Sequence, residues 1–405
     1  MAVSAKMKRS LEGSSWIRRM FEAGAELAAK HGPGKVCDFS LGNPDVEPPA
    51  SFQSALEAVV REAVPHKHGY MPNAGYPEVR AAVAAHLSAE LGVKLSGADV
   101  VMSCGAAGGL NAALKALLDP GDEVIASVPY FVEYGGYADN HGGTLVLAPT
   151  KADFDLDVAA IESKIGPRTA AVIVNSPNNP TGRVYPERTI RDLAAMLGAA
   201  SRRSGRTVYL LSDEPYRHVV YDGVRVPSVL AAYPHTVVVT SHSKDLSLPG
   251  ERIGSVAVNP AAEDAKQLVD AVVTATRLLG YVNAPALMQR VTARLQGVSV
   301  NPALYRTRRD RLYDALTGMG YAMARPEGAF YLFPKAPGGD DLAFVRALQD
   351  ELVLAVPGRG FGMPGYFRIA YCVDQAVIER SLEGFRRAIA RFPGRATGTP
   401  REERC

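Results

Sequence analysis

The sequence predicts an α/β protein with a mainly parallel central sheet in a large domain, followed by a smaller α+β domain. From about residue 97 to residue 258, short apolar runs alternate with helical patterns, and parallel strands need such crossover helices between them. After residue 300 the order changes to long helix, strand, helix, strand and helix. A chain of 405 residues with 47% hydrophobic and 21% charged residues is long enough for two packed domains.

One helix is expected near the N-terminus, and the strands of the large domain come later in the chain. Apolar side chains recur at helical spacing between residues 10 and 30, and the run HGPG at 31–34 ends this pattern with glycine and proline. Turn residues bound the predicted strands. These strands are ADVVMSC (98–104), EVIASVPY (123–130), GTLVLAP (143–149), TAAVIVNSP (169–177), TVYLLSDEP (207–215), TVVVTSHSK (236–244) and GSVAVNP (254–260).

The same patterns suggest where the domains begin and end. We expect residues 1–50 to form an N-terminal arm and part of the smaller domain, residues 51–295 the large domain, and residues 296–394 the rest of the smaller domain. Helices are predicted over 303–320, 341–352 and 376–392, and strands over 328–334 and 366–372. The polar run RATGTPREERC at 395–405 is expected to be a flexible tail.

Composition excludes several classes of protein. The net charge is +3 and the basic residues are scattered, which argues against a nucleic-acid surface. The four cysteines lie far apart without CxxC spacing, so neither a disulfide framework nor a metal site is expected, and a reducing cytoplasm is the simplest location. We also expect no export signal and no membrane span, because no apolar stretch is long enough.

Candidate site residues follow the predicted strands, where an open parallel sheet binds its ligands. Gly105, Ala106 and Ala107 lead from a strand into a helix, whose N-terminus favours a phosphate. This turn lacks the GxGxxG pattern and the P-loop lysine, and it also fits an ordinary strand-to-helix connection. Asp213 ends another strand, where a carboxylate serves as a helix N-cap or stabilises a protonated ring nitrogen.

The remaining polar residues complete a recognisable set. Asn179 is either a turn former within NNPTG or a donor to a phenolate oxygen, and Tyr216 lies near enough to Asp213 to reach the same ligand. Lys244 is a nucleophile of the type that forms imines, while Ser241 and Arg252 on either side of it can bind phosphate. A phosphate site, a carboxylate for a ring nitrogen, phenolate donors and an amine together describe a site for pyridoxal phosphate.

Four motifs resemble those of the class I/II aminotransferases of pyridoxal phosphate fold type I, the aspartate aminotransferase-like group. They are NNPTG (178–182), SDEPYR (212–217), SHSKDLSLPGERIG (241–254) and FRIAYC (367–372), and they occur in the family's order. The resemblance extends from SLGNPD (40–45) to the last predicted helix. It implies the fold type I architecture, a bound pyridoxal 5'-phosphate, and ping-pong transfer of an amino group from an L-amino acid to a 2-oxo acid.

The resemblance also implies a role for each candidate residue. Lys244 matches the lysine that binds the cofactor covalently and moves the proton, and Asp213 matches the partner of the ring nitrogen. The other matches are phenolate contacts at Asn179 and Tyr216, a phosphate site at Gly105, Ala106, Ala107, Ser241 and Arg252, a stacking ring at Phe131, and substrate-carboxylate contacts at Arg368 and Gly42. Tyr70 matches a tyrosine that reaches the phosphate of a neighbouring subunit, which implies a homodimer with shared active sites.

The choice of substrate stays open at this point. Some relatives bind the distal carboxylate of aspartate through a lysine at the position of Ala107, so that contact is missing here. Arg277 lies near the position where others place an arginine for the same carboxylate, but it also fits a solvated charge on a helix. Aspartate and glutamate therefore stay candidate substrates rather than a firm prediction. Glu251, before Arg252, departs from the aromatic or small residue that is common there.

Other functions remain possible from the residues themselves. The same cofactor site serves lyases, decarboxylases and α-oxidases of this fold. A ligand-sensing module with an aminotransferase-like domain is a further alternative, but only about forty residues precede SLGNPD, fewer than a DNA-binding segment needs. A nicotinamide-dependent dehydrogenase is excluded because the dinucleotide fingerprint is absent.

Overall fold

The computed structural model describes residues 3–12 and 16–392, so the predicted tail at 395–405 lies outside the described residues. The chain divides into two compact units. The larger unit contains residues 43–304 and 326–329, and the smaller unit contains residues within 1–42, 305–325 and 330–405. The short segment 326–329 belongs to the larger unit, because the backbone N–H groups of Glu327 and Gly328 donate hydrogen bonds to the carbonyl of Gly182.

Helices and strands occupy the following ranges. The helices are Ala5–Glu12 (α1), Trp16–His31 (α2), Ala50–Arg61 (α3), Pro77–Leu91 (α4), Gly105–Leu117 (α5), Glu133–Asp139 (α6), Val158–Glu162 (α7), Glu187–Ser204 (α8), Val229–Ala232 (α9), His242–Asp245 (α10), Ala265–Leu278 (α11), Ala286–Ala293 (α12), Pro302–Gly318 (α13), Asp341–Asp350 (α14) and Gln375–Ala390 (α15). The strands are Cys37–Asp38 (β1), Val100–Ser103 (β2), Glu123–Val128 (β3), Thr144–Pro149 (β4), Thr169–Asn175 (β5), Tyr209–Asp213 (β6), Thr236–Ser241 (β7), Gly254–Val258 (β8), Tyr331–Leu332 (β9), Val353–Leu354 (β10), Val356–Pro357 (β11) and Phe367–Ala370 (β12).

The larger unit is built on a seven-stranded sheet with the order β2-β8-β7-β6-β5-β3-β4. Its strands are the seven that the sequence predicts, so this part of the prediction is confirmed. Strand β8 pairs antiparallel with both β2 and β7, whereas the pairs from β7 to β4 are parallel. Strands β5 and β8 are buried along their whole length, as expected for a parallel sheet covered by helices on both faces.

Helices hold both faces of this sheet in place. Leu110 and Leu114 of α5 and Val272 of α11 belong to one apolar cluster with strand residues. On the other side, Leu193 and Leu197 of α8 belong to a second cluster with residues of β5 and β6. The carboxyl ends of the parallel strands are therefore fixed by a close-packed interior, and side chains at those ends have little freedom to move.

The smaller unit has its own short sheets and aromatic core. Strands β11, β12 and β9 form an antiparallel sheet in that order, and β1 pairs parallel with β10. Tyr321 lies at the centre of the core, with its ring within 6.1 Å of the rings of Phe344, Phe367 and Phe385. Among the described residues, no helix is both long and apolar enough to cross a membrane.

Candidate active site

The ends of three neighbouring strands bring the predicted polar residues together. Asn175 ends β5, Asp213 ends β6 and Ser241 ends β7. Asn175 lies opposite Asp213 in the ladder, and Asp213 lies opposite Val239 of β7. Because these three strands are parallel, their carboxyl ends share one edge of the sheet, which is the usual position of a ligand site in an open α/β sheet.

Asp213 is buried and only half satisfied. Its Oδ2 accepts a hydrogen bond of 2.6 Å from the hydroxyl of Tyr134. Its Oδ1 is also buried but accepts no hydrogen bond from any described residue. Burial raises the pKa of Asp213 to about 7; the charge of Glu214 adds to this rise, and the Tyr134 hydroxyl opposes it. A buried carboxylate oxygen without a donor is costly, and a protonated ring nitrogen would satisfy it.

Tyr134 is a site residue that the sequence analysis missed. It lies in α6, three residues after Phe131, and its side chain is almost completely buried. Burial, together with the nearby charge of Asp213, raises the pKa of Tyr134 well above its ordinary range. The hydroxyl therefore stays protonated and donates to Asp213. Phe131 is half-buried and meets Tyr134 edge to face, with ring centres 5.6 Å apart.

The NNPTG loop is held rigidly beside Asp213. The Asn175 side chain donates to the backbone carbonyl of Asp213 over 2.8 Å and accepts from the backbone N–H of Asn179 over 2.7 Å. Asn178 accepts hydrogen bonds from both the N–H and the hydroxyl of Thr181. Asn179 is buried within this network. The network fixes the position of Asn179 relative to the end of β6.

Lys244 lies on the single helical turn α10, which follows β7 directly. Its Nζ lies 6.0 Å from the ring centre of Tyr216, another buried residue. The N–H of Leu248 bonds to the carbonyl of His242, and the N–H of His242 bonds to that of Ile253. The turn is thus tied to the segment that leads into β8, and Lys244 is placed at the same sheet edge as Asp213.

The N-terminus of α5 lies beside the guanidinium of Arg252. Gly105 is the first residue of α5 and has φ +68°. A Cβ at Gly105 would lie 3.0 Å from an Nη atom of Arg252. Ala106 and Ala107 follow in the first helical turn and are half-buried, whereas Ser241 is buried. Exposed N–H groups beside a guanidinium are suited to a phosphate.

Three other residues singled out in the larger unit are exposed. Tyr70 has 93% of its surface exposed. Arg277 is exposed in the last turn of α11, and Glu251 is exposed at the end of a short 3-10 turn, Pro249–Glu251. None of these three side chains therefore belongs to the buried group of residues around Asp213.

Arg368 and Gly42 lie in the smaller unit and form a site of their own. Arg368 is buried on β12, and its Nη2 donates to the carbonyl of Ser40 over 2.6 Å. Its Cζ lies 4.7 Å from the ring centre of Tyr331 and 4.8 Å from that of Phe361. A Cβ on Gly42 would come within 2.1 Å of the Tyr331 hydroxyl oxygen, so only glycine fits there. The sequence analysis missed Tyr331 and Phe361, which hold the guanidinium between two aromatic faces.

The residues of the larger unit fit pyridoxal phosphate. The unsatisfied Oδ1 of Asp213 suits a pyridinium N–H, Gly105 and Arg252 together suit a phosphate, and Lys244 suits the aldehyde.

Comparisons with known proteins show the family of the chain. The model of the family "Aminotransferase class I and II" matches residues 34–385. A probable aspartate/prephenate aminotransferase of Thermus aquaticus is 34% identical over 359 residues, which cover 86% of this chain and 90% of the relative.

Solved structures give the same result. An amino transferase of Eubacterium rectale has a TM-score of 0.94 at 40% identity, covering 97% of this chain and all of its own. The aspartate aminotransferase of Thermus thermophilus, solved with maleate, has a TM-score of 0.84 at 28% identity, covering 96% of this chain and 100% of its own.

These matches also confirm the α/β architecture of fold type I and the dependence on pyridoxal phosphate that the sequence predicts. The chain belongs to the class I and II aminotransferase family, and it is a pyridoxal-phosphate-dependent aminotransferase of the aspartate aminotransferase-like group.

Proposed function

We propose that the enzyme transfers the amino group of an acidic L-amino acid, aspartate or glutamate, to a 2-oxo acid, with Lys244 as its catalytic residue. The position of Lys244 carries this proposal: it lies on the turn after β7, at the sheet edge where Asp213 ends β6. The name of the Thermus aquaticus relative supports aspartate as a donor. Prephenate, in the same name, is a 2-oxo acid that such a site would accept.

In this proposal each residue of the larger unit has one role. Pyridoxal phosphate, when bound, withdraws electrons from the α-carbon of the amino acid. Lys244 Nζ would hold the cofactor between turnovers, and it is the base that takes and returns the proton of the substrate α-carbon. Asp213 would keep a proton on the ring nitrogen, and Tyr134 orients Asp213 through its hydrogen bond to Oδ2. Asn179 and Tyr216 would donate to the phenolate oxygen, and Phe131 would pack against the ring.

The phosphate and the substrate carboxylate are assigned to two sites, each with one arginine. The phosphate would be bound by Gly105, Ala106, Ala107, Ser241 and Arg252. Arg368 binds the α-carboxylate of the substrate, because a planar guanidinium held between two rings presents its N–H groups as a fixed fork. Gly42 allows the close approach of Tyr331 beside it.

We also propose that the enzyme acts as a cytoplasmic homodimer. Tyr70 is almost fully exposed, although it matches a residue that binds phosphate in the family. A contact across a subunit interface accounts for both facts. The wide spacing of the cysteines supports a reducing compartment.

The Lys244→Ala variant tests the catalytic assignment. Loss of the general base is expected to lower kcat for L-aspartate with 2-oxoglutarate by about 1,000-fold or more, while the variant still binds the cofactor noncovalently. Lys115→Ala, an exposed lysine on α5, is the matched control and is expected to keep the activity of the parent. Borohydride reduction followed by peptide mapping should attach the cofactor to the parent at Lys244. Normal turnover by Lys244→Ala, without added amine, would show that the assignment is wrong.

A further inference from the structure

The larger unit contains a second cluster of titratable side chains, to which the mechanism assigns no role. His86 and Glu90 lie on α4, and His218 lies in the segment after β6. Each offers one ligand atom, and these three atoms all lie within 4.8 Å of one another. The cluster contains no cysteine, so cysteine spacing does not reveal it.

The distances within the cluster fit a cation. Glu90 Oε2 lies 3.4 Å from His86 Nε2, and Glu90 Oε1 lies 3.0 Å from His218 Nε2. In a tetrahedral zinc site with bonds of about 2.0–2.1 Å, neighbouring donor atoms are about 3.3 Å apart. Glu90 Oε2 is buried without a well-aligned hydrogen bond from a described residue, and His86 Nε2, at 3.4 Å, is the neighbour with which it would share a metal ion.

Helix α4 presents two of these donors from a rigid base. His86 and Glu90 are four residues apart and share one face of the helix. Val79, Val83 and Leu87 are buried beside them and fix the helix against the interior. The side chains of His86 and Glu90 remain 24% and 22% exposed, so a cation can enter from solvent without unfolding the helix.

A second layer of polar groups orients the donors. Asp245 Oδ2 lies 3.6 Å from His218 Nδ1, on the side of the ring opposite Nε2. Arg217 Nε donates to Glu90 Oε1 over 2.8 Å. A carboxylate behind a histidine is the usual outer partner in metal sites, because it fixes the ring and makes it a better ligand.

The charge of the cluster also favours a divalent cation. Glu214 Oε2 and Glu90 Oε1 lie 3.0 Å and 2.8 Å from nitrogens of the Arg217 guanidinium. Asp245 Oδ2 lies beside the rings of His218 and His242. The three carboxylates and the guanidinium carry two negative charges in excess, which protonated neighbouring imidazoles or a bound divalent cation neutralise. A cavity of about 30 Å³ adjoins them, which is enough for a water molecule to complete the coordination.

We propose that His86 Nε2, the carboxylate of Glu90 and His218 Nε2 bind one divalent cation of the zinc class, with water as a further ligand. Two imidazoles and one carboxylate favour zinc over magnesium or calcium, which prefer oxygen donors. Asp245 directly follows Lys244 in α10. The cation therefore links α4, through His218 and Asp245, to the turn that carries the catalytic lysine, and its role is structural.

Zinc titration of the holoenzyme tests this site. After dialysis against a chelator, calorimetry with Zn²⁺ is expected to show one saturable site per chain. His86→Ala and Glu90→Gln are each expected to weaken binding by about 100-fold, since each removes one of three protein ligands. Zn²⁺ should also raise the melting temperature of the parent but not that of His86→Ala. His31→Ala, a half-buried histidine at the end of α2, is the matched control and should bind Zn²⁺ like the parent.

Two outcomes overturn the proposal. One is the absence of saturable binding to the parent, and the other is equal affinity in His86→Ala and Glu90→Gln, which places the bound zinc elsewhere. Alanine is a better helix former than histidine, so His86→Ala is expected to keep helix α4 intact. Circular dichroism without metal checks that each variant has the helix content of the parent.

Discussion

Asp213 favours cofactor binding but lowers the folding stability of the protein. In the cofactor-free protein its carboxyl is buried, with one oxygen bonded to Tyr134 and the other without a donor. A cationic ring nitrogen would donate a hydrogen bond to that oxygen, so the residue favours cofactor binding and lowers the stability of the protein without cofactor. This is the kind of strained group that functional sites contain and interiors avoid.

The Asp213→Asn variant is expected to stabilise the cofactor-free protein at high pH. Burial raises the pKa of Asp213 from 3.8 to about 7. As the pH rises from about 4 to 7, the unfolded chain releases this proton and the folded chain keeps it, so folding loses free energy across that range. A shift of about three pKa units corresponds to about 4 kcal/mol. Thermal unfolding after cofactor removal should give the variant a higher melting temperature at pH 8 and no advantage at pH 4.

Asp270→Asn, an exposed aspartate on α11, provides the control for this comparison. It should not change the difference between the two pH values. The same Asp213→Asn variant should bind the cofactor more weakly and turn over more slowly. An equal gain in melting temperature at pH 4 and pH 8 would contradict the proposed cause.

Arg277 is the candidate contact for the distal carboxylate of an acidic substrate. If its exposed guanidinium binds the distal carboxylate of the substrate, Arg277→Ala should lower kcat/KM for L-aspartate and L-glutamate by about 10- to 100-fold, the value of a charged hydrogen bond. Activity on L-alanine, which has no distal carboxylate, should change little. Arg202→Ala, a basic residue in the last turn of α8, is the control. Equal losses on all three amino acids would exclude this role.

At the scale of elements, the start of α5 depends on one glycine. Gly105 has φ +68° and lies against Arg252. In any other residue the left-handed backbone conformation costs about 1–2 kcal/mol. Its Cβ would also crowd the guanidinium of Arg252. The turn can therefore bring backbone N–H groups and a cation to the same phosphate only with glycine at this position.

The Gly105→Ala variant should weaken cofactor binding by about 10-fold, because it disturbs both phosphate contacts at once. Fluorescence titration of the cofactor-free protein measures this affinity. Gly250→Ala is the control, since no atom lies within 4 Å of a Cβ at that position. Unchanged affinity in Gly105→Ala would mean that the phosphate is bound elsewhere.

The sequence patterns identified the strands of the large sheet better than the short strands of the smaller unit. The strands of the seven-stranded sheet were predicted because each is an apolar run bounded by turn residues. Strands β1, β10 and β11 contain two residues each and were missed. Two residues carry no periodicity, and such strands exist only because a partner elsewhere in the chain pairs with them.

At the scale of the whole molecule, the proposed dimer predicts that Tyr70 contacts the phosphate bound by the partner subunit. A phosphate contact supplied by the partner would disappear when the subunits separate. Cofactor affinity should then fall when the enzyme is diluted below the dissociation constant of the dimer, which sedimentation measures independently.

The Tyr70→Phe variant is expected to bind the cofactor about 10-fold more weakly, through loss of one hydrogen bond to a charged group. Dilution should weaken its affinity less than that of the parent, because the contact is already absent. Tyr313→Phe on α13 is the control. Identical dilution curves for the parent and Tyr70→Phe would exclude Tyr70 as the contact between subunits.

The sequence by itself determined the order of the strands along the chain and the family. It also identified Lys244, Asp213, Asn179 and Arg252 as candidate site residues. These follow from local patterns, because a strand, a turn and the polar residue after it are neighbours in the chain. Only the tertiary structure decided that Tyr134 satisfies Asp213 across 79 positions and that Glu90 meets His218 across 128. Hydrogen bonds between residues so far apart depend on how the helices pack on the sheet, and no local pattern records that packing.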